Sequence, residues 1–400
     1  MLPPTTPTDP PVWRDPRAIA LMIAASLTVM TAATLSPALP GLERQFPRTE
    51  ANAFLVRMLV SAPSLAVVLI APFCGVIADR AGRRPMLLAG LVLFILAGSA
   101  GLILPTLPAI LASRVVLGVA LAMIMTAQSA LLGDYFSGGM LQRVSSAQVS
   151  ARNLGGLVFI FSAGLLATLG PRLAFVIYAL PLLVLPYISR VIVEPPRASL
   201  SAQGHAVPGA AASWRRVLVL AGGQMAVTVL FFVMPTQLPF FLSASGDTSP
   251  ALTGAALGTL MLAGGVTALF YPQIRARIGN GGNWACGFGL MALGFAVLVA
   301  ASAQAAIFLG CAAIGAGYAL TIPGFVVLAL AATPPGRRGR TAALLTGSVF
   351  LGQVLSPVLS TPALAEWGWR SSGLGLAAIL AAAAMTFGIV AAVPALRARR

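Results

Sequence analysis

Gly75-Val76-Ile77-Ala78-Asp79-Arg80-Ala81-Gly82-Arg83-Arg84 packs four charges into ten residues of a chain in which only 8% of residues are charged and 58% are hydrophobic. Residues 61–77 before it and 86–104 after it are almost wholly apolar or small. A charge block bounded in this way is a tight turn between two membrane-crossing helices. Gly82 supplies a backbone position that tolerates the positive φ of a reversal. Arginines at a bilayer surface meet anionic lipid and helix C-termini, and both favour them.

The spacing G-x-x-x-D-R-x-G-R-R is similar to the loop between the second and third helices of the major facilitator superfamily. Two further elements carry the same resemblance: Arg114-Val-Val-Leu-Gly118 resembles the R-x-x-x-G element of that family's fourth helix, and Glu194-Pro195-Pro196-Arg197 resembles the acidic-proline-arginine end of its sixth. The resemblance implies that the charged loop is a conformational latch, carried here by Gly75, Asp79, Arg80, Gly82, Arg83 and Arg84. Asp134, at the inner end of the fourth helix, is a candidate partner for the latch arginines when the inner side closes. One departure stands out: the fifth helix reads Asn153-Leu154-Gly155-Gly156 and lacks the glycine-proline pair of drug-proton antiporters.

Composition supports the membrane reading on its own. The mean hydropathy is +0.93, and a helix crossing about 30 Å of hydrocarbon needs about 20 apolar residues, so 400 residues hold roughly twelve spans. The apolar runs fall at about 18–38, 54–78, 86–105, 108–132, 146–169, 173–193, 217–242, 251–274, 284–302, 306–331, 342–362 and 371–393. We therefore expect an all-α polytopic membrane protein of twelve helices in two pseudo-symmetric six-helix bundles. No period-2 alternation supports a β-barrel. The formal charge of +16 comes entirely from arginine, since the chain has no lysine. Eighteen of the 25 arginines fall in segments on the side of the N-terminus, which by the positive-inside rule places both termini in the cytoplasm of a multi-pass protein. That distribution explains the charge without nucleic acid. Arginine-only usage with abundant alanine points to a GC-rich bacterial genome and hence to a bacterial inner membrane.

Three landmarks recur at a nearly constant offset, as an internal repeat requires. Gly82 matches Gly279 and Arg143 matches Arg340, each 197 residues on, while Arg172 matches Arg370 at 198. The chain thus divides into a disordered N-terminus (1–17), a first bundle (18–193), a cytoplasmic linker (194–216), a second bundle (217–393) and a basic tail (394–400). The linker is rich in Pro, Ala, Ser and Gly and contains the only histidine, His205. In the second copy of the latch Asp79 aligns with Ala276 and Gly75 with Pro272, so the first half carries most of it. Cys74, Cys286 and Cys311 lack metal-ligand spacing and read as packing residues, and no cofactor is expected.

Polar groups in hydrocarbon are costly unless they face a cavity or a partner, which makes each one a pathway candidate. These are Arg114 and Gln128 on the fourth helix, Gln148, Arg152 and Asn153 on the fifth, Gln224 on the seventh and Gln353 on the eleventh. Serine and threonine on the same helices also mediate packing. No Asp, Glu or His lies mid-helix, so proton coupling would have to run through Asp79 or Asp134. No nucleophile or metal cluster suggests an enzyme. The expected function is secondary active transport by alternating access, exporting a small organic molecule such as a drug, sugar or metabolite. Uptake or exchange of an anionic metabolite is the alternative, motivated by Arg114 and Arg152 in a region without acids. Expected partners are the small-molecule substrate, the lipid bilayer and, if coupling exists, protons.

Overall fold

The computed structural model describes residues 12–195, 214–244, 246, 249–301, 303–333 and 338–397. Most of the N-terminal tail, nearly all of the linker with His205, and the last three residues of the basic tail lie outside them. The helices are α1 Pro16–Leu27, α2 Met30–Ala33, α3 Leu39–Glu43, α4 Glu50–Ala81, α5 Arg83–Ser99, α6 Leu107–Tyr135, α7 Gly138–Leu169, α8 Pro181–Val191, α9 Trp214–Ala244, α10 Pro250–Val299, α11 Gln304–Ala331 and α12 Arg338–Arg397. Among the described residues, nine helices are long and apolar enough to cross a membrane, and the described residues contain no strand.

Two of the nine are folded back on themselves. A β-carbon built on Gly264 would stand 3.1 Å from the Gly315 carbonyl oxygen, and one built on Gly287 would stand 2.8 Å from that of Gly317. In one straight helix residues 264 and 287 would be about 34 Å apart, yet they flank the same turn of α11. The chain reverses at Gly279, whose φ of 69° is left-handed. The same logic applies to α12, where the Ser372 hydroxyl donates to the carbonyl of Ala363, nine residues earlier, at 3.3 Å. The reversal there falls at Gly368, with φ 72°. Each of α10 and α12 is thus a pair of antiparallel arms.

The first apolar run departs from its expected form. Rather than one continuous helix it is broken into α1, α2, a 3-10 turn at Ser36–Ala38 and α3. Pro37 and Pro40 have no N–H to donate into a helix, and the hydroxyls of Ser26, Thr28 and Thr31 bond to carbonyls three residues back at 2.7–3.0 Å, a local competitor to helical bonding. Elsewhere the helices overrun the apolar runs: the second run extends to Glu50–Ala81 and the fifth to Gly138–Leu169, while the sixth begins as a 3-10 helix, Pro171–Ala179.

Packing relies on small residues, as it must where lipid is as apolar as any side chain. A β-carbon on Gly118 would lie 2.2 Å from the Pro63 carbonyl oxygen, locking α6 against α4, and one on Gly315 would lie 2.0 Å from that of Leu260. Gly347, by contrast, has open space where a β-carbon would go. We expect Gly315→Ala to cost about 1–3 kcal/mol through overpacking, seen as a lowered unfolding temperature of the purified protein in detergent, with Gly347→Ala unchanged.

Candidate functional site

The charged turn is built around a carboxylate. α4 ends at Ala81 and α5 starts at Arg83, with Gly82 between them at φ 100°. α5 has no side-chain cap of its own from Gly82. Glu194, just past α8, fills that role: its two carboxylate oxygens accept from the backbone N–H groups of Arg83 at 2.8 Å and Arg84 at 2.7 Å. An anion at a helix N-terminus satisfies orphan donors and opposes the helix dipole. A β-carbon on Gly82 would stand 3.2 Å from this carboxylate, so both the left-handed φ and the close approach call for glycine.

Three more ties surround the turn. Arg83 forms an ion pair with Asp134 at the end of α6. The Arg84 guanidinium donates to the Ser189 carbonyl at 3.0 Å. The Tyr135 hydroxyl donates to the Val193 carbonyl and accepts from the Val193 N–H at 3.0 Å, while Arg17 lies 5.2 Å over its ring. Arg80 is exposed at the end of α4, Gly75 has open space where a β-carbon would go, and the Asp79 side chain lies outside the described residues. All these contacts join elements of residues 12–195, so the turn braces one half of the molecule. Glu194 is its central member. The sequence marked Glu194 as the end of the sixth helix, but nothing in the spacing showed that it would cap α5, 110 and 111 residues away.

The two halves meet along a seam that starts at the opposite end of the helices, here termed the far end. Arg57 of α4 donates to the Gln237 Oε1 of α9 at 3.1 Å, pairs with Glu43 at 3.5 Å and lies 3.9 Å over the Phe240 ring. Gln237 in turn donates to the hydroxyls of Ser360 at 2.9 Å and Thr361 at 3.0 Å. Deeper along α4, Ser64 donates to Gln353 of α12 at 2.5 Å. On the other flank a β-carbon on Gly164 of α7 would stand 3.0 Å from the Gly254 Cα of α10, and one on Gly265 would stand 3.6 Å from Asn153. At the latch end of the second half Gln224 donates to the Leu345 carbonyl at 3.1 Å and Thr333 bonds Thr341 at 2.9 Å. Beside the Arg57 cluster, between α4, α9 and α12, is a cavity of about 840 Å³.

The remaining pathway candidates separate into seam and interior. Gln353 and Asn153 are on the seam. Arg152 is half-buried, with a buried Nε that has no protein partner among the described residues, and Gln148 donates to the Leu21 carbonyl at 3.3 Å. Arg114 is fully buried inside the first half and not on the seam: it donates to the Gly98 carbonyl at 2.5 Å and lies between the Phe175 and Tyr178 rings, at 4.8 and 4.6 Å. Two aromatic faces and a carbonyl stand in for the missing acid. Gln128 on the same helix is also buried, with neither amide atom bonded among the described residues. On the face they share, Gly118 packs against Pro63 of α4 and Arg114 reaches Gly98 of α5.

Removing the Glu194 cap by Glu194→Ala is expected to cost about 1 kcal/mol, read as a lower unfolding temperature, with Glu194→Gln intermediate. Arg83→Asp and Asp134→Arg should each lower it too, and the double exchange should recover part of the loss.

A sequence model described as Major Facilitator Superfamily matches residues 21–304. No curated protein matches the chain. Among solved structures, it is similar to a D-xylose-proton symporter, with 15% identity and a TM-score of 0.72 over 91% of this chain and 96% of that one. It is similar to the nucleoside transporter NupG, with 13% identity and a TM-score of 0.75 over 93% and 98%. A third likeness is to the inward open conformation of the xylose transporter XylE from E. coli, with 16% identity and a TM-score of 0.72 over 92% and 94%. At these identities the structures speak for the fold, and the matched 284 residues, counted from 21 through 304, speak for the family. The chain is a multi-pass membrane protein of the major facilitator superfamily, a family of transporters rather than enzymes.

Proposed function

We propose that the chain is a secondary transporter working by alternating access, with its twelve spans formed by Pro16–Glu43 as one broken span and by α10 and α12 as two arms each. Two observations carry this reading: contacts bridge the halves from the far end, beside the 840 Å³ cavity, to mid-depth, and Gly75 at the latch end has open space around it. With the arginine-rich latch end in the cytoplasm, this is the inward-open member of a pair of states. Rocking about the midplane exposes a site there alternately to the two sides. Gly75, with empty space around it here, fits a surface that another helix approaches closely in the opposite state.

The substrate is a small organic molecule, and export is the favoured direction. Two fold neighbours carry xylose with protons and a nucleoside, and the seam amides Gln353 and Asn153 suit polar solutes of that size. Coupling to protons runs, if present, through Asp134 or Asp79, because among the described residues the acidic ones lie at helix ends or in connections. Asp134→Asn or Asp79→Asn should then flatten the pH dependence of transport, and a profile unchanged in both variants would remove proton coupling from the account. A second reading, exchange of an anionic metabolite, is favoured by Arg152, whose Nε has no protein partner near the seam.

A cross-link tests the cycle directly. In a chain with Cys74, Cys286 and Cys311 replaced by serine, Asn153→Cys with Gly265→Cys, whose β-carbons would stand 3.6 Å apart, should form a disulfide across the seam, with the reduced form as the reference for transport. Oxidation is expected to stop transport and reduction to restore it. Full transport in the cross-linked protein would show that the seam does not open. Accumulation of labelled sugars, dyes and organic anions in cells with and without the chain decides direction: lowered accumulation supports export, and raised accumulation limited to anions supports the second reading.

A further inference from the structure

The two arms of α12 and the far half of α9 enclose a groove of about 270 Å³ that belongs to neither the latch nor the seam. Its walls run from Ser356 to Trp367 on the first arm and from Trp369 to Ile379 on the second. Eleven helical residues span about 16 Å, and one leaflet of the hydrocarbon core is about 15 Å deep. The groove is thus as long as one leaflet and lies in the leaflet at the far end. It opens onto the membrane-facing surface, since Leu359, Trp367 and Ile379 on its rim are 57%, 61% and 60% exposed. Gly375 keeps it open, with nothing within 4 Å of where its β-carbon would be.

The mouth has a different chemistry from the floor. Trp367, Trp369, Ser371 and Ser372 gather at the end near Gly368, and exposed Arg370 lies among them in sequence. Trp and Tyr favour the depth of lipid headgroups, and a cation there attracts anionic lipid. The buried indole N–H of Trp369 has no acceptor among the described residues. The ester carbonyls of a glycerophospholipid lie at this depth and are acceptors, whereas a purely apolar molecule offers none. The groove also adjoins the seam: Trp369 and Leu364 line both it and the 840 Å³ cavity, and Ser360, on its wall, is held by Gln237.

We propose that this groove seats one acyl chain of an anionic glycerophospholipid, its headgroup at Arg370 and its ester region at Trp369. The assignment uses only the membrane setting and this groove, so it stands whichever direction the protein transports.

The test uses the full chain, extracted in mild detergent from membranes of phosphatidylethanolamine and phosphatidylglycerol and weighed intact by native mass spectrometry. A single retained phospholipid, enriched in phosphatidylglycerol over the membrane, is expected. Gly375→Leu should abolish it, while Gly222→Leu, which also points into open space, should keep it. Arg370→Gln should keep the lipid but lose the preference for phosphatidylglycerol. If Gly375→Leu does not fold, Ala363→Leu fills the groove from the opposite wall. No retained lipid in the parent chain, or a lipid retained unchanged in the groove-filling variants, would overturn the assignment.

Discussion

Inside a bilayer a polar atom has to find its partner within the protein, because hydrocarbon offers none. This chain gathers its polar side-chain contacts in two separate places, one at the surface turn and one among the helices. At the latch end Glu194, Asp134, Arg83, Arg84 and Tyr135 bond one another and the backbone within residues 12–195. At the far end and at mid-depth Arg57, Gln237, Ser64 and Gln353 bond across the two halves. The first set makes a half rigid, and the second joins it to its partner. A structure that moves as two bodies needs this division.

Magnitudes favour the same conclusion. Hydrogen bonds between membrane helices are worth on average about 0.6 kcal/mol and at most about 1.7, so the polar contacts across the seam together hold it by only a few kcal/mol. Two conformations that differ by that much interconvert, and a substrate with modest preference for one shifts the balance. The glycine contacts along α7 and α10 serve this as well. Gly164 meets Gly254 backbone to backbone, giving close contact without interlocked side chains, and such a surface separates at little steric cost. The interior of each half is different: Gly118 against Pro63 and Gly315 against Leu260 are deeper approaches that would not survive a shift of the helices.

The legible parts of the sequence were those set by local backbone chemistry. Gly82 and Gly279, paired by their spacing, both adopt positive φ at a reversal. Arg172 and Arg370 were paired too, each two residues after a glycine, yet of these glycines only Gly368 is left-handed, because Pro171 holds Gly170 extended. The break in the first apolar run was hidden, since its composition is that of a continuous span and only Pro37 and Pro40 hint otherwise. Side-chain direction was the least legible. Arg114 satisfied every criterion for a pathway residue by composition, and two aromatic rings from a segment some sixty residues away take it inside the bundle. The bond from Arg57 to Gln237 spans 180 residues, a separation at which pattern carries no information.

The central claim is that the far end is closed when the latch end is open, and that the two exchange. Spin-label distances across the halves measure this in lipid. One pair joins Ala51 to Ala365 at the far end and the other joins Ala81 to Ala342 at the latch end, all four exposed. The account predicts two populations for each pair, with the far-end distance lengthening as the latch-end distance shortens when substrate or pH shifts the balance. Single, unchanging distances at both ends, or distances that lengthen together, would contradict it.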